Sequence, residues 1–329
     1  MEEKIEKELK WAVLGTGVIA NEMAQALEKM GKKLYAVANR THSKAVEFAK
    51  KYGVEKVYDK IEDMFTDKET DIIYITTPHN THIKFMIEAL KNGKHVLCEK
   101  SITLNSEELE EAVKIAKEKN LILGEAMTIF NMPLYTELSE IVNSGKLGDV
   151  RMIQVNFGSY KEYDMNNRFF NRNLAGGALL DIGVYAISIT RLFMTSKPDN
   201  VLSQVKYAPT GVDEQASIIM MNKEQQMSTI ALTLHSKQPK RVVIACEKAY
   251  IEITEYPRAD KAKIVYTETG EIEEITAGMT ANALQYELQN MEESVKTGIN
   301  KMKLEYTIDV MDIMTKLRKE WGMTYPEEE

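Results

Sequence analysis

The chain has few cysteines, no surplus of positive charge and no long apolar run. Its two cysteines, Cys98 and Cys246, are far apart and form neither a disulfide framework nor a cysteine-rich metal site. A formal net charge of -8 argues against broad nucleic-acid binding, which needs a basic surface. No apolar run is long enough to cross a bilayer, and residues 1–8 are mostly charged, whereas a signal peptide has an apolar core. We therefore expect a cytoplasmic protein without a membrane or nucleic-acid partner.

The chain does contain enough apolar sequence for two domains, since hydrophobic residues make up 44% of its 329 residues. Over residues 1–125, short apolar runs alternate with amphipathic helical patterns, which predicts an α/β domain with a doubly wound parallel sheet of the Rossmann type. Over residues 126–329, runs that alternate polar and apolar residues predict a mostly antiparallel sheet with one open face. Helical patterns flank those runs, so this second domain is expected to be α+β.

In the first domain, strands are predicted at 10–14, 34–39, 54–58, 71–76, 95–98 and 121–125, with helices at 44–52, 61–65, 81–92 and 106–120. In the second, strands are predicted at 150–157, 201–207, 217–221, 227–235, 241–245, 250–254 and 263–267, with helices at 133–144, 281–296 and 307–321. Ser106 is the expected N-cap of its helix, because a serine hydroxyl accepts a hydrogen bond from a free backbone N–H there.

An apolar run, a glycine turn and an amphipathic helical pattern follow one another without a gap between residues 10 and 30. Gly15 permits the tight turn, Gly17 lets a pyrophosphate approach the backbone, and Ala20 lets helix and strand pack closely. The free N–H groups at the helix start then face the phosphates. We expect a dinucleotide here; the alternative is an ordinary strand-to-helix turn without a ligand. The expected contacts are Gly15, Thr16, Gly17, Val18 and Ile19.

The end of the second predicted strand carries no acidic residue. A site for NAD usually places a carboxylate here, where it accepts hydrogen bonds from the ribose 2′-OH. This chain instead has Asn39, Arg40 and Thr41, with Lys44 one helical turn further on. Arg40 can pair with a 2′-phosphate and Asn39 can donate to it, so we expect NADP(H) rather than NAD. The alternative is that Arg40 is a solvated surface residue.

Polar residues follow the predicted strand at 71–76, at the sheet edge where ligands bind in open α/β folds. His79 and His82 are three residues apart and have no third ligand beside them, which argues against a metal site. The cluster either begins a helix or contacts the nicotinamide half of the cofactor. The expected cofactor contacts in it are Thr77, Pro78, Asn80 and His82.

A third group lies downstream, where Gly176–Tyr185 opens a helical pattern. Asp181 and Tyr185 are four residues apart and therefore share one helix face. A capping aspartate and a packed tyrosine would explain either residue alone.

Taken together, these segments resemble the Gfo/Idh/MocA family of oxidoreductases, within it the branch that contains dimeric dihydrodiol dehydrogenase and NADP-dependent D-xylose dehydrogenase. The resemblance covers nearly the whole chain and is most specific at Glu99-Lys100 and at Gly176–Tyr185. It implies that Lys100 and Tyr185 are the catalytic pair, with Asp181 beside them. It also implies that Glu99 and Lys100 contact the cofactor near the nicotinamide ribose, and that two copies pack through the open sheet.

The implied activity is hydride transfer between NADP(H) and a hydroxyl or carbonyl of a sugar, polyol or dihydrodiol. Two alternatives stay open: a non-catalytic NADP(H)-binding sensor or regulator, and an NAD-dependent glycosidase of the same fold. We expect positive Lys100 to make Tyr185 a better base. Ser101 stands where the family usually has proline, which predicts a looser backbone at Lys100. Met127–Phe130 departs from the Trp-Thr-Arg-Phe of the branch, which leaves the substrate open.

Overall fold

A computed structural model of the protein describes residues 8–329. The first part of the chain forms a six-stranded parallel sheet with the strand order β3-β2-β1-β4-β5-β6. Its elements are β1 Trp11–Leu14, α1 Val18–Lys29, β2 Ala36–Ala38, α2 His42–Tyr52, β3 Lys56–Tyr58, α3 Ile61–Thr66, β4 Ile72–Ile75, α4 His82–Lys91, β5 His95–Glu99, α5 Ser106–Glu118 and β6 Leu123–Ala126.

Helices cover both faces of this sheet, because its central strands are apolar on both sides. In β1 and β4 every residue is buried. Val13 packs with α1 and α2 on one face, whereas its neighbours Ala12 and Leu14 pack with α3, α4 and α5 on the other. The predicted doubly wound parallel sheet is therefore confirmed.

The second part of the chain forms an eight-stranded sheet with the order β14-β13-β12-β11-β7-β10-β9-β8. Only β7 and β10 are paired in parallel among the described strands of this sheet; its other pairs are antiparallel. Its elements are α6 Thr128–Asn131, α7 Pro133–Asn143, β7 Val150–Gly158, α8 Val184–Phe193, β8 Asn200–Tyr207, β9 Asp213–Met221, β10 Met227–Thr233, β11 Gln238–Cys246, β12 Ala249–Thr254, β13 Lys261–Tyr266, β14 Ile272–Thr276, α9 Ala283–Thr297 and α10 Leu304–Glu320.

One face of the eight-stranded sheet is covered and the other is open. On β9, Ile218 and Met220 are fully buried under the helices, whereas Ile219 between them is 45% exposed. Leu202 pairs with Ile219 across β8 and β9 and is 62% exposed. The predicted open sheet is confirmed, and apolar side chains line its exposed face.

Helix α9 returns from the second part of the chain to the first. Its residues Leu284, Leu288 and Met291 belong to the same apolar cluster as Trp11 of β1. Trp11 Nε1 also donates to Glu292 Oε1 at 3.0 Å. A segment more than 150 positions beyond the predicted boundary at 125/126 thus completes the core of the Rossmann sheet.

The structure also differs from the predictions in two local details. Strand β14, at the edge of the sheet, was not predicted, because two adjacent glutamates interrupt the apolar pattern of Ile272–Thr276. The N-cap of α5 is Asn105 rather than Ser106, since Asn105 Oδ1 accepts from Glu108 N at 2.9 Å.

One stretch of the described residues, Arg172–Phe193, is long and apolar enough to cross a membrane, but most of it is buried inside the protein.

Candidate active site

The glycine turn between β1 and α1 leaves open space in front of the helix. Gly15 has a φ of 109°, and a Cβ there would lie 2.5 Å from Thr76 Oγ1, so packing alone explains this glycine. A Cβ on Gly17 would meet no protein atom within 4 Å, and Val18 is 79% exposed. Packing therefore does not require Gly17, whereas close approach of a pyrophosphate to the N-terminus of α1 does. The turn fits a dinucleotide.

The loop after β2 is attached to this turn. Asn39 Nδ2 donates to Thr16 Oγ1, and Asn39 Oδ1 accepts from Thr41 N at 3.2 Å. Arg40 is exposed and, within residues 8–329, has no carboxylate at ion-pair distance. An unpaired guanidinium beside the phosphate turn is suited to a 2′-phosphate.

The residues after β4 mainly make hydrogen bonds within the protein. His82 is fully buried, with Nδ1 3.0 Å from Ser101 O and Nε2 2.7 Å from Thr77 O. The ring therefore lies between the loops after β4 and β5, and in its neutral form it donates to one of these two carbonyl oxygens. Asn80 Nδ2 donates to Glu327 Oε1 at 2.5 Å, so this predicted cofactor contact reaches the C-terminal tail instead.

His79 and Pro78 remain at the surface of the cleft, whereas His82 lies beneath them. The His79 and His82 rings are 5.7 Å apart between centroids. Burial, followed by the charges of His82 and Lys100, lowers the pKa of His79. A neutral imidazole thus lies beside the next group of residues.

Lys100 and Asp181, which come from the two parts of the chain, meet in this cleft. Lys100 Nζ donates to the backbone oxygen of Asp181 at 2.7 Å and to its Oδ1 at 3.2 Å. The same ammonium lies 4.9 Å from the centroid of the Tyr185 ring. Glu99, the residue before Lys100, accepts a hydrogen bond from Tyr74 of β4. The predicted group Lys100, Asp181 and Tyr185 is therefore brought together, next to Glu99.

The backbone that carries Lys100 is held on both sides. Ser101 is fully buried, and its hydroxyl donates to Leu180 O at 3.0 Å. Buried Glu125 accepts from Ile102 N at 3.1 Å through one oxygen and from Thr307 Oγ1 at 3.0 Å through the other. The expectation of a looser backbone at Ser101 is wrong, because the serine hydroxyl makes a bond that proline cannot make.

The segment that carries Asp181 is supported by Asp213, a residue that the sequence analysis missed. Leu179–Gly183 forms a π-helical turn that continues into α8. Asp213 is fully buried and accepts from Leu179 N at 2.6 Å. A Cβ on Gly177 would lie 2.2 Å from Asp213 Oδ1, which explains the glycine before this turn. Burial raises the pKa of Asp213 to about 7.

The charges in the site follow from burial and from the ion pair. Burial lowers the pKa of Lys100, but Asp181, Tyr185 and Glu99 outweigh it and raise that pKa. Burial raises the pKa of Asp181, but Lys100 and Arg168 outweigh it and hold that pKa below its usual range. The site therefore contains an ammonium and an ionised carboxylate.

Tyr185 behaves differently from the prediction. Lys100 does lower its pKa, as expected, but burial has the larger effect and raises that pKa to about 12. The expectation that Tyr185 is a better base is therefore wrong for this structure. Its phenol stays protonated at neutral pH, so Lys100 and Tyr185 are two proton donors that face one cleft.

Two further cations of the cleft were not predicted. Arg168 Nη2 lies 3.7 Å from Asp181 Oδ1, and Lys161 is placed so that Asp181 and Arg168 both affect its pKa. Both come from residues 159–171, which lack regular structure. Their signal in the sequence was weak, since this loop has one Lys and one Arg matched by one Glu and one Asp, and only its four aromatic residues stand out.

Comparison with known proteins identifies the family of the chain. The profile described as "Oxidoreductase family, NAD-binding Rossmann fold" matches residues 9–127, and that of the GFO/IDH/MocA C-terminal domain matches residues 135–252. A trans-1,2-dihydrobenzene-1,2-diol dehydrogenase of Xenopus laevis is 30% identical, over 96% of this chain and 99% of the relative. The enzyme of the same name from Homo sapiens is 26% identical, over 97% and 99%.

Solved structures share the fold at lower sequence identity. A 3-ketoreductase from Actinomadura kijaniata, in complex with NADP and TDP-benzene, is 18% identical, with a TM-score of 0.84 over 95% of this chain and 98% of that chain. A levoglucosan dehydrogenase in complex with NADH and levoglucosan is 16% identical, with a TM-score of 0.83 and the same coverage. By its sequence profiles and its full-length relatives, the chain belongs to the Gfo/Idh/MocA family of oxidoreductases with an NAD-binding Rossmann fold.

Proposed function

We propose that the protein is an NADP(H)-dependent oxidoreductase that interconverts a hydroxyl and a carbonyl on a sugar, polyol or dihydrodiol. The observation that carries this proposal is the meeting of Lys100, Asp181 and Tyr185 at the carboxyl edge of the Rossmann sheet. Relatives named as dihydrodiol dehydrogenases, and fold neighbours named as a ketoreductase and a sugar dehydrogenase, support the substrate classes.

The cofactor would be held by the glycine turn and by the loops after β2, β4 and β5. Residues 15–19 would bind the pyrophosphate, while Arg40 and Asn39 would bind a 2′-phosphate with Thr41 beside them. Thr77, Pro78 and Glu99 line the approach to the nicotinamide side, whereas His82 supports these loops from below. When bound, the nicotinamide donates or accepts the hydride.

The protein residues supply orientation and a proton. In the direction of reduction, Lys100 and Tyr185 both present a hydrogen to the substrate carbonyl oxygen, and one of them delivers its proton as the alkoxide forms. Asp181 holds the Lys100 ammonium in place and keeps it charged. In the direction of oxidation, the group that accepts the hydroxyl proton must first lose its own, so with Tyr185 as this acceptor its high pKa makes the direction dependent on alkaline pH.

A substrate screen tests the proposal. The purified protein would be mixed with NADP+ or NAD+ and with aldoses, inositols and dihydrodiols, and the absorbance of the reduced nicotinamide would be followed. We expect turnover with NADP+ on at least one of these classes. Tight NADPH binding without turnover of any class would instead indicate the sensor, and sugar release from a glycoside without net NADPH would indicate the glycosidase.

The open face of the eight-stranded sheet supports a homodimer. Met221, Met227 and Met152 are aligned across β9, β10 and β7, and the row continues through Ala245 to Tyr250. Such a continuous row of apolar side chains is costly to leave in water. Two copies packed face to face would cover it.

Sedimentation tests this assembly. We expect a species heavier than one chain, and Ile219→Lys on the open face should shift it toward the monomer. Ile299→Lys is the matched control, since Ile299 is 68% exposed but lies between α9 and α10. A wild-type protein that sediments as a single chain at micromolar concentration would contradict the proposal.

The proposed location is the cytoplasm. Both cysteines are unpaired, and Cys98 is buried as an apolar residue, which suits a reducing compartment.

A further inference from the structure

Residues 159–171 form a loop that extends β7 over the cleft. Its start is fixed to the sheet, since Ser159 N donates to Thr233 O at 2.9 Å and Lys161 N donates to Leu234 O at 2.8 Å. Phe169, near the end of the loop, has two cations close to its ring. Lys161 Nζ lies 4.1 Å from the centroid of this ring, and Arg168 Cζ lies 4.2 Å from it. The aromatic ring thus holds two positive head groups at one place beside the site.

These cations lack counter-charges. Arg168 has only Asp181 at ion-pair distance among residues 8–329, and that carboxylate is already paired more closely with Lys100. Lys161 has no carboxylate within 4 Å in the described part of the chain. Lys240, the next cation along the cleft, is neutralised by Glu255 at 3.0 Å. Among residues 8–329, Asp181 is therefore the one carboxylate within 4 Å of Lys100, Lys161 or Arg168, in a protein whose net charge is -8.

Lys161 is also partly withdrawn from water. Burial lowers its pKa, and the positive charges of Arg168 and Lys100 act in the same direction. Keeping such a charge without a partner costs free energy, whereas an anion bound beside Lys161 would offset that cost.

The phosphates of a dinucleotide lie elsewhere. Arg40 follows β2, and β1 and β4 separate β2 from the strand before Lys100, which places it about 14 Å away at roughly 4.8 Å per strand. The pyrophosphate turn follows β1 and faces α1. Lys161 and Arg168 come from the other domain, and Arg168 Nη2 lies 3.7 Å from Asp181 Oδ1.

We propose that Lys161 and Arg168 form a subsite for an anionic group of the substrate, so that the enzyme acts on a sugar or polyol that carries a carboxylate or a phosphate. This inference rests on the proposed function and narrows its substrate class. A dihydrobenzene diol carries no charge and would leave both cations uncompensated. A sugar acid or sugar phosphate pairs with them while its hydroxyl carbon lies against Lys100 and Tyr185.

Matched substrates test the subsite. The second-order rate constant kcat/KM would be measured with NADP+ for glucose, glucuronate and glucose 6-phosphate, and for the same three forms of galactose. We expect an anionic form to exceed its neutral parent by at least about tenfold, as one charge-assisted hydrogen bond allows. The carboxylate and phosphate arms show which anion is preferred. Added NaCl should lower the rate for the anionic forms alone.

Variants identify the residues responsible. Lys161→Met should lower kcat/KM for the anionic substrate by about tenfold and leave the neutral sugar within about twofold. Arg168→Met also removes a contact to Asp181, so it should lower kcat/KM for both sugars, and for the anionic one by about tenfold more. Lys146→Met is the control, because Lys146 also lies over an aromatic ring, 5.4 Å from that of Tyr266, but outside the cleft. Equal losses on neutral and anionic sugars, or a neutral sugar as the best substrate, would overturn the inference.

Binding separates this inference from the proposed reaction. Gluconate and glucose 6-phosphate would be titrated into the protein loaded with NADPH, with the nicotinamide fluorescence as the signal. Binding that weakens in Lys161→Met supports the anion subsite even if no sugar is turned over, in which case the proposed reaction alone fails. Binding that is unchanged in both variants, or absent throughout, overturns the subsite even if a neutral sugar is oxidised.

Discussion

The cofactor half and the substrate half of the site differ in how the chain supplies their residues. The phosphate turn, residues 15–19, belongs to one continuous strand–turn–helix that runs from β1 into α1. In the substrate half, by contrast, Lys100 and Asp181 are 81 positions apart and come from different domains. The cofactor half is therefore a local feature, whereas the substrate half exists only after the domains have packed.

The two halves also differ in charge. The cofactor half offers backbone N–H groups and the single guanidinium of Arg40. The substrate half contains an ammonium–carboxylate pair together with Lys161 and Arg168. The cofactor half therefore suits the phosphates of a dinucleotide, whereas the substrate half contains charges of both signs.

The largest expected effect separates chemistry from cofactor binding. Lys100→Met removes a proton donor but leaves the glycine turn intact, so we expect turnover to fall by at least about 100-fold. The dissociation constant of NADPH, from its fluorescence, should change far less than turnover, because the phosphate contacts remain. Lys114→Met, at an exposed position of α5, is the control. Turnover near that of the wild type would show that the two halves are not divided in this way.

The next effect concerns the cofactor half alone. Arg40→Ala removes the guanidinium proposed for the 2′-phosphate, so the affinity for NADP+ should fall by about tenfold or more. The affinity for NAD+ serves as the internal control and should not fall, because NAD+ has no 2′-phosphate. Calorimetric titration of both nucleotides measures this. Parallel losses for both would assign Arg40 a structural role.

A pH profile sharpens the account of the substrate half. With the Tyr185 pKa raised to about 12, the phenol stays protonated from pH 6 to 10, so the rate of carbonyl reduction should be flat over this range. The rate of alcohol oxidation should rise as pH increases, because the proton acceptor is formed only near that pKa. Tyr185→Phe should remove the rise. An oxidation rate that levels off near neutral pH would identify a different base.

The smallest effect concerns a hydrogen bond between the two domains, beside Lys100 and Asp181. Ser101→Ala removes the hydrogen bond to Leu180 O and should lower the free energy of unfolding by about 1 kcal/mol. Ser144→Ala is the matched control, since its hydroxyl also donates to a carbonyl, Ile141 O at 2.7 Å, but in an exposed turn. Urea unfolding compares the two. Equal stability of both variants would show that the buried bond contributes nothing.

Much of the fold could be predicted because its signals are local. Buried runs such as Ile72–Ile75 predict central parallel strands, and the polar–apolar alternation along β7 predicts a sheet with one open face. The return of α9 to β1 could not be predicted, because an amphipathic helix does not specify which surface it covers. Strand β14 was missed, because its acidic residues fit an exposed loop equally well.

The site, too, could be predicted only where its signals are local. Lys100, Asp181 and Tyr185 were found through motifs, but their charges depend on burial, which the sequence does not contain. That is why the effect of Lys100 on Tyr185 was predicted with the right sign and the net pKa was not. The support from Asp213 and Ser101 was likewise hidden, because it depends on contacts between distant segments.

A crystal structure of the protein with NADP+ bound tests the central claim most directly. We expect the Lys100 ammonium and the Tyr185 hydroxyl to lie together over the nicotinamide ring, with room for a substrate oxygen between them, and Arg40 to contact the 2′-phosphate. A nicotinamide that lies away from Lys100 and Tyr185, with either side chain turned out of the cleft, would contradict it.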